Sequence, residues 1–361
     1  MVFLAVCALA MSGCLGDGGG DEPTRIEGDT ATVYSSVPRD SGSAAVASAV
    51  VAGERRALAE AGGRAGGLRI RFRELPATDD EPDHPWDPAL VSANAHTAAD
   101  DPSAIAYLGE LDYGASAVSL PITNDAGLLQ VSPGDGLTSL TQRPPGRPRA
   151  GPERYYPSGK RNFVRIGPTD LREADYLVER ASAAGAERVA VVFDRDIYGR
   201  ELAAQILVRA RRAGLEPVAS EEYRGQADEI TDVARRLAET HPDAVIHAGV
   251  VGAGTGRLLA EIHDQIATAP MFATSGILAG EPSLALPTGS ARIEGVGPAI
   301  SPERAGYEAM RLVLEAVEEG RRDRRLVIAA ARRLAPPVAN RRLVLYRPGA
   351  DGRLERVGVA R

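Results

Sequence analysis

Between residues 189 and 273 the chain alternates strand and helix at a nearly constant pitch. Four apolar strand candidates begin near Val189, Pro217, Ala244 and Met271, at spacings of 28, 27 and 27 residues. The stretches between them read as helices: Leu202 to Ala213 stops at Gly214, Ile230 to Leu237 stops before His241-Pro242, and Arg257 to Ile266 closes the third. Few folds accept such a pattern. Each helix has to carry the chain back to the start of a parallel neighbour through a right-handed crossover, so an α/β layer on a parallel sheet is predicted. The units share no sequence identity, which makes this a structural rhythm and not a repeat family.

The first half carries the same signals less regularly. A strand is expected over Thr30 to Val37, then a helix over Ala44 to Ala61 with Val46, Val50, Ala57 and Ala61 at helical spacing and Gly62-Gly63 as its stop. Leu68, Ile70 and Phe72 alternate with arginines, the mark of a strand with one wet face. Asp87-Pro88 opens another helix, and Ile105 to Leu108 is the next strand. A helix over about Gly114 to Ala126 and a strand over Leu128 to Val131 follow, and that strand breaks into Ser132-Pro133-Gly134-Asp135-Gly136. The segment from Gln142 to Gly159 is too rich in Pro and Gly for an element and reads as a long surface loop. Ser301 to Gly320 is a further helix, with Tyr307, Met310, Leu314 and Val317 on one face, and the chain closes on a hairpin after Leu343. A length of 361 residues allows about two domains, and a second lobe of the same architecture is the simplest outcome.

The expected segmentation begins with an export signal. MVFLAVCALAMSGC is an apolar run of about ten residues ending in small residues, too short for a membrane span of ~20 residues. Met11-Ser12-Gly13-Cys14 looks like a bacterial lipobox, which makes residues 1–14 a lipoprotein signal with Cys14 as the lipidated residue, and 15–28 a Gly/Asp-rich tether. Residues 29–165 with 297–334 then form an N-terminal lobe, and 166–296 with 335–361 a C-terminal one. With Cys7 lost with the signal and Cys14 lipidated, no disulfide is expected. A formal charge of −7 with Lys160 as the only lysine offers no nucleic-acid surface.

Motifs for catalysis or cofactors do not assemble. The glycine-rich Gly249 to Arg257 sits where a nucleotide loop would, but Arg257 takes the third glycine position and no Gly-Lys-Ser/Thr follows. The five histidines are spread over separate elements without metal-ligand spacing, and Ser275 lacks the first glycine of a nucleophile elbow. The expectation is a protein without enzymatic activity, metal or cofactor. What does stand out is the pair of loops at Gly114 to Ser116 and Ser132 to Gly136, where unpaired backbone N–H groups would suit an anionic or polar ligand group.

Five phrases resemble one family in its own order: GELDYGASAVSLPITNDAGLLQVSPGDGLTSLT, YYPSGKRNFVRIGPTD, VVFDRDIYGRE, DAVIHAG and GYEAMRLVLEAV. They are similar to the type I periplasmic-binding-protein family, specifically the branched-chain amino-acid (Leu/Ile/Val) binding lipoproteins of ABC transporters. The resemblance implies two Rossmann-like lobes with parallel central sheets joined by crossover strands, and a small polar ligand, an amino acid or a related amide or amine, held in the interlobe cleft. It implies an extracytoplasmic location, anchorage to the outer face of the membrane by lipid alone, and delivery to a membrane permease. A sensing or interaction lipoprotein that keeps the fold without transport is the alternative.

Residue by residue, the resemblance maps the first ligand-contacting stretch onto Asp112, Tyr113, Gly114, Ala115 and Ser116, and the second onto Ser132, Pro133, Gly134, Asp135 and Gly136. Tyr198 matches the second-lobe tyrosine that covers the ligand, the acidic residue that pairs with the ligand's ammonium falls near Ser275, and Val250 completes the set. Three positions change the expected chemistry. Tyr113 stands where a serine is usual, Gly136 lacks a threonine hydroxyl, and Asp135 would repel a carboxylate unless it points away or meets a cation. Asp112 and Asp135 thus favour a cationic or neutral ligand.

Overall fold

The computed structural model describes residues 25–39, 43–78, 86–252, 254–280, 293–335, 342–349 and 354–359. The predicted signal, Cys14 and most of the tether lie outside these residues. The first lobe runs β1 (Thr30–Val37), α1 (Ala44–Glu60), β2 (Arg64–Ala65), β3 (Leu68–Pro76), α2 (Pro88–Ala99), β4 (Ala104–Leu108), α3 (Ser116–Asp125), β5 (Leu129–Ser132) and β6 (Phe163–Arg165). Its sheet has the order β2-β3-β1-β4-β5-β6, parallel except for the short edge strand β2. In register, Val33 of β1 lies between Phe72 of β3 and Ala106 of β4.

The chain then enters the second lobe through α4 (Asp170–Ala183), β7 (Arg188–Asp194), α5 (Ile197–Arg212), β8 (Glu216–Tyr223), α6 (Ala227–Glu239), β9 (Ala244–Ala248), α7 (Thr255–Gln265), β10 (Met271–Ala273) and β11 (Ile293–Pro298). It returns to the first lobe as α8 (Pro302–Gly320) and α9 (Arg324–Leu334), and ends in the second with β12 (Leu343–Pro348) and β13 (Leu354–Val359). The second sheet has the order β13-β12-β11-β10-β9-β7-β8. The β7 to β11 core is parallel, as the 27-residue pitch requires, and the terminal hairpin adds two antiparallel strands. Among the described residues no helix is long and apolar enough to cross a membrane.

Local signals set most boundaries. The Asp87 carboxylate accepts from the amides of Ala89 and Leu90 at the start of α2, and Asp323 does the same for Arg325 and Leu326 at the start of α9. The proline-rich loop is the main departure from expectation. It folds into a 3₁₀ turn at Pro152–Tyr155 and docks, because Tyr155 and Tyr156 bury their rings with Leu120, Leu137, Leu140 and Phe163. Their hydroxyls are satisfied there: Tyr156 donates to the Leu140 carbonyl at 2.6 Å, and Tyr155 bonds the Ser139 hydroxyl at 3.2 Å. Pro and Gly content registered the lack of regular structure but not the two aromatic anchors.

Helices α1 and α8 bring residues nearly 250 positions apart into backbone contact. A Cβ at Gly53 would lie 1.9 Å from the Glu303 carbonyl oxygen, and one at Gly306 2.0 Å from that of Val50. Only two glycines permit this approach, which positions Val46, Val50 and Ala305 along one side of the cleft. Gly306→Ala is therefore expected to destabilise the protein by about 1–3 kcal/mol through overpacking, read as a lower urea midpoint at unchanged m-value; an unaltered midpoint would contradict the close approach.

Candidate functional site

The C-terminal ends of β4, β5 and β6 in one lobe and of β7, β9 and β10 in the other lead into loops that meet across the cleft, the place where open α/β sheets put ligand sites. Ten of the residues singled out in the sequence lie in these loops or at the helix starts they feed. Gly114, Ala115 and Ser116 open α3; Gly134, Asp135 and Gly136 follow β5; Tyr198 opens α5; Val250 follows β9; Ser275 follows β10. Tyr113 of the first lobe stacks on Tyr198 of the second, with ring centroids 4.6 Å apart.

The two loops that looked ready for an anion already hold one. Asp135 is 1% exposed, and its carboxylate accepts the amide N–H groups of Gly114 at 3.0 Å, Ser116 at 2.9 Å and Leu137 at 3.0 Å. Gly114 reaches this geometry at φ +84°, a conformation that favours glycine, and a Cβ there would lie 2.7 Å from Ile197 of the other lobe. Burial raises the Asp135 carboxyl above its ordinary value, while the amides of Gly114 and Leu137, the Arg165 charge and the Ser116 amide pull it back. Three donated N–H bonds beside a guanidinium suit the carboxylate form. Of the two escapes open to Asp135 in the sequence, pointing away or meeting a cation, the structure shows the first: its carboxylate is taken up by loop amides, and the Arg165 charge acts on it only through space. Arg165 itself is buried behind the loop and donates to the carbonyls of Gly136 and Leu137 at 3.2 and 2.7 Å.

Across the cleft, the charge that Ser275 lacks comes from a different element. Glu173 of α4 accepts the Ser275 amide at 2.9 Å and its hydroxyl at 2.5 Å, and the Tyr198 hydroxyl at 3.3 Å. The Tyr113 hydroxyl hydrogen-bonds Ser275, so one short chain of contacts joins the lobes. Burial pushes Glu173 up to about 7 against the donors of Ser275, and the nearby Asp170 adds to the rise. The Val250 amide is taken by Asp194 at 2.6 Å. Beside Gly136, Asp170 accepts from Thr138, and Glu201 accepts the Ser139 amide at 2.8 Å. Sequence reasoning passed over Asp170, Glu173 and Glu201. The signal was present: Asp170, Glu173, Ala174, Leu177 and Val178 form one buried helical stripe, as do Tyr198, Glu201, Leu202, Gln205 and Ile206, so these carboxylates sit at core positions.

A cavity of about 300 Å³ lies between the lobes beside Tyr113. Val46, Val50, Leu278 and Ile300 give it apolar walls, and Asp112, Tyr113 and Ser275 supply polar atoms. Asp112 is 5% exposed; the Ser43 hydroxyl donates to it at 3.0 Å. Burial and the neighbouring Asp135 raise its carboxyl to about 7, with only the Ser43 bond in opposition. Among the described residues no group of His, Cys, Asp and Glu could hold a metal ion, and the buried His247 is bonded to the Tyr223 hydroxyl at 2.8 Å.

Residues 35–297 match the model of a family described as periplasmic binding protein. An amino acid binding protein of Pseudomonas aeruginosa is 25% identical over 225 residues, 60% of this chain and 53% of that protein, so the chain spans about half the length of this curated relative. A leucine binding protein from Thermotoga maritima shares 16% identity at a TM-score of 0.69, covering 92% of this chain and 99% of its own. A substrate-binding protein of Desulfitobacterium hafniense in complex with Leu gives 19% and 0.68, with 91% and 100% covered. A solute binding protein of R. palustris in complex with benzoate gives 15% and 0.68, with 92% and 96% covered. At these identities the likenesses show the fold, two α/β lobes, as the sequence pattern predicts.

Removing the Asp135 side chain should leave three buried amides without an acceptor. Asp135→Gly is expected to lose about 2–4 kcal/mol, and millimolar formate should raise its melting temperature while leaving that of the unaltered protein in place. Equal responses of the two proteins to formate would show that the pocket is not an anion site.

Proposed function

Since the chain belongs to the periplasmic binding protein family, whose members bind solutes and are not enzymes, we propose that it is the extracytoplasmic solute-binding component of an ABC importer, taking a small polar ligand between its lobes and presenting it to a membrane permease. The observation that carries this reading is the cavity at the strand ends, walled by both lobes and closed by the Tyr113–Ser275 contact. Tyr113, Gly114, Ala115, Ser116, Gly134, Asp135, Gly136, Tyr198, Val250 and Ser275 form or brace the cleft in this reading. The stacked pair Tyr113 and Tyr198 acts as the latch that holds the lobes together over the ligand. Amino acids and aromatic acids are the ligands named for the similar proteins, and a related amide or amine fits this chain equally within the same reading.

A ligand that binds only the native state stabilises it by about 2.7 kcal/mol at a hundredfold excess over Kd. A thermal-shift screen over amino acids, amides, amines and aromatic acids is expected to return at least one compound that raises the melting temperature by several degrees. A flat response across the whole panel would overturn solute binding. The lipobox residues complete the proposal, with Cys14 as the anchor to the outer face of the membrane. Mass spectrometry of the mature protein should find a diacylglycerol-modified Cys14 at its N-terminus, whereas an unmodified Cys14 preceded by residues 1–13 would exclude the anchor.

A further inference from the structure

Resting on that reading, we infer that the ligand is a small organic cation with an apolar body, an alkyl- or arylammonium ion that carries no carboxylate, seated in the interlobe cavity with its charge against Asp112.

Six loop amides that could hold a carboxylate are in use. Gly114, Ser116 and Leu137 donate to Asp135, Ser275 to Glu173, Val250 to Asp194, and Ser139 to Glu201. The protein has filled its own anion sites. An amino acid in the cavity would satisfy Asp112 with its ammonium group but bring its carboxylate close to the acids Asp112 and Asp135, a desolvated charge with no opposite charge to offset it. Nor does a cation wait for it: the described lining includes no Arg, Lys or His, and Arg165 is turned to the carbonyls of Gly136 and Leu137 behind the loop.

Asp112 is the opposite case. Its carboxylate lines the cavity, accepts the Ser43 hydroxyl, and forms no ion pair among the described residues. Most buried acids of the cleft are held by amide donors; for Asp112, at the cavity wall, the Ser43 hydroxyl is the side-chain donor among the described residues. An ammonium group provides charge and three N–H donors for Asp112, and Tyr113 and Ser275 add further polar groups to the lining. Val46, Val50, Leu278 and Ile300 then meet the hydrocarbon part, and a 300 Å³ space at the small end of ligand pockets limits it to a compact molecule.

Calorimetric titration of the full protein with isoamylamine and phenethylamine, set against leucine and benzoate, separates the possibilities, because isoamylamine is leucine without its carboxylate, and phenethylamine and benzoate attach opposite charges to the same aromatic ring. Both amines should be preferred to both carboxylates, and Asp112→Asn should weaken amine binding at least tenfold. Val46→Phe, which fills the cavity and spares Asp112, should abolish it, and this second variant decides the matter if Asp112→Asn does not fold. Binding of leucine or benzoate in preference to the amines would overturn the cation while leaving solute binding intact. Amine binding that survives both substitutions would overturn the placement in this cavity. Absence of binding by all four probes would also overturn the inference, and the broader thermal-shift panel then tells whether solute binding falls with it.

Discussion

The cleft depends on one carboxylate. Asp135 gathers the N-terminus of α3 and the loop after β5 onto a single side chain, so the two loops that would otherwise present bare N–H groups are tied to each other. Each such charge-assisted bond is worth about 1.5–3 kcal/mol when an alternative partner is lacking. With Asp135 in place, Arg165 is drawn to the same loop, and Gly136 is left close to Asp170 of the other lobe and to Tyr113 of its own. The first lobe thus brings a rigid, internally neutralised edge to the cleft, built before any ligand arrives.

The second lobe answers with acids and aromatic rings. Asp170, Glu173 and Glu201 project from buried faces of α4 and α5, and their donors include Thr138 and Ser139 of the first lobe. Burial raises all three carboxyls, Asp170 to about 6, Glu173 to about 7 and Glu201 to about 8. Hydrogen bonds from Thr138 and Ser139 and the Tyr113–Tyr198 stack thus join the two lobes around these acids.

Much of the architecture was legible because period and punctuation act locally. The strand spacing, the Asp87-Pro88 and Ser301-Pro302 helix starts and the terminal hairpin all follow from residues within a few positions of one another. The cleft positions were legible too, since strand ends at Leu108, Ser132, Ala248 and Ala273 locate the loops. The chemistry was harder, because it depends on which way side chains turn. Asp135 could be weighed as a repulsive charge but not seen to be consumed by amides 19 and 21 residues upstream. Glu173 supplies charge to Ser275 across 102 residues, a pairing that no local pattern encodes. Tyr155 and Tyr156 lie in a stretch whose composition says loop, and only their burial against Leu120 and Leu140 shows that it is anchored.

The close approach of α1 and α8 at Gly53 and at Gly306 bears on how the protein is made. The first lobe is interrupted: α1 emerges from the ribosome early, while its partner α8 is synthesised only after the whole of the second sheet up to β11, and Arg56 waits 247 residues for Glu303. During translation the α1 face around Val50 and Ala57 is unsatisfied, whereas the α4 to β11 unit is continuous in sequence and can collapse by itself. Contacts of such long separation are slow to close and leave apolar surface open in the meantime. Until α8 is made, the first lobe lacks the helix that packs on α1 and cannot complete its core.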